Sequence, residues 1–116
     1  EMLRGELRER HAAAQSALEQ HMPPGVTWSS PEGGFALWVE GPPGLDADRL
    51  VEAAAARGVL TTPGRVFDPG AAPSSGLRLS LSRSSPDQVE HGIAVLGACA
   101  REFLAHSDPL RRPNFL

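Results

Sequence analysis

Hydrophobic positions recur with a helical period from Met2 to about His21, where Leu3, Leu7, Ala14 and Leu18 return to one face among Glu, Arg and Gln. Pro23-Pro24-Gly25 stops that segment. Val26 to Ser29 reads as a short strand and Pro31-Glu32-Gly33-Gly34 as a turn. Phe35 to Val39 follows as a β-rich run, apolar on both faces and therefore expected to be buried in a sheet. The two runs predict a hairpin. Beyond the breaker Gly41-Pro42-Pro43-Gly44, Asp46 is placed to cap a helix reaching Arg57, with Leu45 and Leu50 at the flanking staple positions. Gly58 supplies the left-handed stop. Val59 to Thr62 predicts a strand, Pro63-Gly64 a turn, and Arg65 to Ser75 a long loop held irregular by its prolines and glycine.

The strictest alternation in the chain is Leu77-Arg78-Leu79-Ser80-Leu81-Ser82. Its leucines face a core, and Arg78, Ser80 and Ser82 share the opposite face. Ser85-Pro86-Asp87-Gln88 then opens a helix with a capping box and a first-turn proline, and Val89, Ile93, Leu96, Ala100 and Phe103 form its apolar stripe. The order is helix, hairpin, helix, strand, strand, helix. It predicts one small α+β domain over residues 1–106, followed by a tail at 107–116. The expected sheet is antiparallel or mixed, with three to four strands and helices packed on the leucine face. The face carrying Arg78 is left for water or for another domain.

At 116 residues the chain has room for one domain, and a hydrophobic fraction of 41% supplies a modest core. Only 5% is aromatic and tyrosine is absent, so alanine, valine and leucine must do most of the packing. A net charge of -3 excludes the basic footprint that direct nucleic-acid binding needs. The short clusters Arg4/Arg8/Arg10 and Arg111-Arg112 read as solvated surface. Cys99 has no intrachain partner, which fits a reducing, cytoplasmic setting, and its place on the last helix predicts a small buried hydrophobe. No apolar run approaches the ~20 residues of a membrane span, and no signal peptide is evident. The start at Glu1, inside a helical pattern, reads as a cut from something longer.

The candidate chemistry is sparse. His11, His21, His91 and His106 lack zinc-ligand spacing. Serines 80, 82, 84 and 85 lack a nucleophile elbow and are explained by strand polarity and capping. Asp46, Asp48 and Glu52 read as a cap and a solvated face. Arg78 stands out, because a strand-borne arginine can hold a carboxylate through two parallel hydrogen bonds. The chain contains no lysine: all of its basic residues are arginine.

The fixed points Trp28, Pro31-x-Gly33-Gly34-Phe35-x-x-Trp38, Arg57-Gly58-Val59, Pro63-Gly64-x-x-Phe67 and Leu77-Arg78-Leu79-Ser80 resemble the C-terminal small domain of class I/II aminotransferases. These are pyridoxal-phosphate proteins of the aspartate-aminotransferase fold type (fold type I). The likeness is greatest to 2-aminoadipate-aminotransferase-like members and to the C-terminal portion of MocR-type (GntR-family) regulators, and it runs from about Arg8 to Leu104. Each piece alone is a common turn; their order and spacing carry the resemblance.

That resemblance implies that Arg78 binds the α-carboxylate of an amino acid substrate, with Gly34, Pro63 and Phe67 near the substrate. It implies amino-group transfer between an amino acid and a 2-oxo acid in a parent protein, a homo-oligomer. There, a large domain holds pyridoxal phosphate on a lysine and supplies the cofactor ligands. None of that segment matches here, so no cofactor residue and no metal is assigned, and the chain alone is expected to be inactive. Two other readings stay open. One is the effector-sensing tail of a MocR-type transcriptional regulator. The other is a free-standing α+β ligand or interaction domain of ferredoxin-like type, which predicts a closed core without a bare apolar surface.

Overall fold

The computed structural model describes residues 2–30, 34–67 and 76–107. Helices α1 (Met2–His21), α2 (Ala47–Ala56) and α3 (Pro86–Ser107) are interleaved with strands β1 (Thr27–Ser29), β2 (Ala36–Glu40), β3 (Thr62–Pro63) and β4 (Gly76–Ser80). The strands form one antiparallel sheet in the order β1-β2-β4-β3. The sheet is open and the helices cover one of its faces, as the alternating leucines predict.

Helix α2 starts and stops, and α3 starts, for local reasons. The Asp46 carboxylate accepts from the amides of Asp48 (3.0 Å) and Arg49 (3.4 Å), which satisfies two donors at the start of α2. Leu45 and Leu50, on either side of that cap, are both buried. At the other end Gly58 adopts φ 86°, and the amides of Gly58 and Val59 return to the carbonyls of Ala55 (3.0 Å) and Ala54 (2.9 Å). That is a Schellman closure, open to glycine because no side chain is strained at positive φ. The predicted capping box of α3 is present in both directions: the Ser85 amide donates to Gln88 Oε1 at 2.9 Å and the Gln88 amide to Ser85 Oγ at 3.2 Å.

The core is one cluster. Leu37, Val39, Leu77 and Leu79 from the sheet meet Ala14, Ala17 and Leu18 of α1, Leu50 and Ala54 of α2, and Val89, Ile93, Leu96, Cys99 and Ala100 of α3. Burying a leucine or isoleucine of this kind stabilises the fold by about 1.5–3 kcal/mol. With few aromatic residues, the helices approach closely through small ones. Gly97 lies so near the end of α1 that a Cβ there would run into the His21 carbonyl. Cys99 is fully buried, as a small hydrophobe should be.

Several sequence expectations shift. The strand expected over Val59–Thr62 is confined to Thr62–Pro63, because the Val59 amide is already used by the α2 closure. Pro63 therefore belongs to a strand and not to a turn, which an edge position allows since proline has no amide to donate. The first part of the expected loop is a 3-10 turn over Gly64–Phe67, and residues 68–75 of it lie outside the described residues. In β2 only Leu37 and Val39 are buried; Ala36 and Trp38 are half-buried on the other face, so this strand is covered on one side rather than two. The last helix continues to Ser107, and the expected tail beyond it lies outside the described residues.

Candidate functional site: Arg78 on the open sheet face

Alternation along β4 places Leu77 and Leu79 in the core and Arg78 between them on the opposite face, where it is half-buried. Pairing then decides its neighbours. Trp38 of β2 stands directly opposite Arg78 on one side and Thr62 of β3 on the other, and Ser29 of β1 stands opposite Trp38. Ser29, Trp38, Arg78 and Thr62 therefore form one row across the whole sheet. Directly opposed side chains on one face are close enough to share a ligand. The next pairs are Ala36 with Ser80 and Glu40 with Gly76. At the second of these, the Glu40 carboxylate lies over Gly76: a Cβ built there would sit 3.2 Å from Glu40 Oε2.

The row offers a planar guanidinium fork, a tryptophan and two hydroxyls on a shallow surface. A carboxylate accepts two parallel N–H bonds from such a fork, with the hydroxyl of Thr62 and the indole of Trp38 on either side. Of the residues singled out from sequence, Arg78 lies at the centre of this arrangement. Gly34 lies four residues before Trp38 along β2, about 13 Å at strand spacing. Pro63 is opposite Leu77 and so belongs to the core-side row, one residue from Thr62. Phe67 closes the 3-10 turn that follows β3; its side chain lies outside the described residues. Thr62 and the site role of Trp38 were missed. Their parity within each strand was visible in the sequence, but the register that places them beside Arg78 was not.

A concavity among the described residues lies elsewhere. A cleft of about 520 Å³ opens on the helix side, between Gly58–Thr61, the end of β4 and the first turns of α3. Its floor includes Leu79, Leu81, Val89 and Ile93, and it contains none of Trp38, Thr62 or Arg78. Among the described residues no cluster of three His, Cys, Asp or Glu could hold a metal, and no helix is long and apolar enough to cross a membrane.

An antiparallel sheet with helices on one face and an arginine row on the other defines an open-faced α+β domain. Comparison with known proteins narrows that class. No family model matches the chain. The aromatic-amino-acid aminotransferase 1 of Thermococcus litoralis is 34% identical over 95 residues, covering 82% of this chain and 23% of that protein. The HTH-type transcriptional regulator YdfD of Bacillus subtilis is 33% identical over 104 residues, covering 88% of this chain and 21% of that protein. In structure, the α-aminoadipate aminotransferase LysN of Thermus thermophilus, crystallised with N-(5'-phosphopyridoxyl)-L-leucine, superposes with a TM-score of 0.80 at 31% identity. The match covers 88% of this chain and 26% of that one. The chain belongs with the fold-type-I aminotransferases and the MocR-type regulators that share their fold, and it spans about a quarter of the length of these relatives.

Those relatives imply pyridoxal phosphate. The residues present do not fit its covalent attachment, since Schiff-base formation requires a lysine amine and the 116-residue sequence has none. No step through the cofactor is assigned to this chain.

Proposed function

We propose that the chain is the substrate-carboxylate-binding, C-terminal small domain of an aminotransferase-like protein, with Arg78 as the carboxylate ligand. The supporting observation is the position of Arg78 at the centre of the Ser29–Trp38–Arg78–Thr62 row, on the face that no helix covers. In the parent protein the amino group passes between an amino acid and a 2-oxo acid. The reacting lysine, the cofactor ligands and the enclosing wall of the site belong to a large domain that packs on this face, in a cytoplasmic homo-oligomer. The small domain contributes orientation: two hydrogen bonds fix the substrate carboxylate and thereby the direction of its α-carbon. Carboxylate recognition gains strength from desolvation, so Arg78 alone binds weakly and the isolated chain turns over no amino acid.

Arginine-selective modification tests the assignment. Phenylglyoxal labelling, read by mass spectrometry, is expected to slow at Arg78 when pyruvate is added, while labelling of Arg83 keeps its rate. A rate at Arg78 that pyruvate does not change overturns the proposal, as does equal slowing of both arginines.

The 33% identity to an HTH-type regulator over 88% of the chain supports a second use of the same face, as the effector-sensing part of a transcriptional regulator. The carboxylate chemistry at Arg78 is shared by both uses. A winged-helix pattern upstream in the same polypeptide selects the regulator.

A further inference from the structure

The helix-side cleft opens over part of the core. Leu79, Leu81, Val89 and Ile93, all buried, form its floor, and Gly58–Thr61 form one wall. Thr61 is a short, polar side chain for such a wall, and its Oγ1 is buried with no hydrogen-bond partner among the described residues. Next to it on the wall stands Leu60, 85% exposed. An exposed leucine beside a leucine-floored hollow makes a knob next to a hole. The cleft is also lined by Arg83 and Asp87, which flank the start of α3 and are both exposed. Among the described residues, neither of these opposite charges has a side-chain hydrogen bond or an ion pair.

We infer that two copies of this chain pair through the cleft about a two-fold axis, with Leu60 of each copy in the hollow of the other and Arg83 of each against Asp87 of the other. A two-fold interface is self-complementary, so every feature needs its complement on the same patch. This patch carries both kinds: a knob with a hole, and an unpaired cation with an unpaired anion. Burial of Leu60 supplies the attraction, and the two ion pairs fix the register and reject wrong pairings. The patch lies on the helix side of the sheet, away from Arg78. Pairing therefore leaves the Arg78 row free, and the inference does not depend on how that row is used.

Charge reversal at the two exposed positions tests the pairing. In sedimentation the wild-type chain is expected to dimerise reversibly. Arg83→Asp alone and Asp87→Arg alone are each expected to weaken dimerisation about tenfold, because symmetry turns one reversal into two like-charge contacts. An equimolar mixture of the two variants is expected to recover it to within about threefold of wild type, since one copy then supplies both acids and the other both arginines. Leu60→Ser weakens it about fivefold. A wild-type chain that stays monomeric at every concentration overturns the inference. So do charge variants or Leu60→Ser that dimerise as wild type does, and a mixture no tighter than its components, because each of these places the contact elsewhere.

Discussion

Arg78 illustrates what a single position can carry. Its charge faces away from the leucines because strand side chains alternate, and its usefulness comes from what stands opposite. Replacing it with lysine keeps the charge but loses the planar fork, so pyruvate binding is expected to weaken several-fold in a shift titration, with unfolding free energy within about 1 kcal/mol of wild type. A second residue-scale prediction concerns Gly97, where a methyl group would collide with the His21 carbonyl. Gly97→Ala is expected to force α1 and α3 apart and to destabilise by about 1–3 kcal/mol in urea unfolding. Arg78 was legible in the sequence because alternation is a local signal. Thr62 and Trp38 were not legible as its neighbours, because register joins segments 16 and 40 residues away, and nothing local specifies it. Gly97 was equally hidden: the sequence places it on α3, and only the helix crossing explains why it is glycine.

At the scale of elements, local chemistry set most boundaries correctly. The caps at Asp46 and Ser85 and the stop at Gly58 each depend on residues within one turn, which is why all three could be read in advance. Ser85→Ala removes one half of a reciprocal cap and is expected to cost about 1 kcal/mol, measured as a lowered urea midpoint with an unchanged slope. Strand β3 shows where such reading stops. The apolar run Val59–Leu60 resembles a strand by composition, yet the Val59 amide completes the helix stop before it, and Leu60 is left 85% exposed. Competition between a helix closure and a strand for one amide is a three-dimensional outcome. The run Phe35–Val39 is apolar on both faces and so reads as a buried strand, whereas the helices cover only the face of Leu37 and Val39.

At the scale of the molecule, helices lie on one side of the sheet and the Arg78 row on the other, in a chain that spans about a quarter of its relatives. Exposed Leu60 and Val66, together with an uncovered sheet face, predict reversible self-association of the isolated chain. Sedimentation is expected to show an average mass that rises with concentration and that Leu60→Ser with Val66→Ser suppresses; a strict monomer throughout favours a free-standing module instead. The central claim is that this face receives a carboxylate through one arginine among 11. Arginine side-chain Nε–H signals recorded by NMR during a pyruvate titration test it most directly. The account predicts that one signal moves, and that it is the signal missing from the spectrum of Arg78→Lys. Movement of the Arg83 signal instead, or of none, contradicts it.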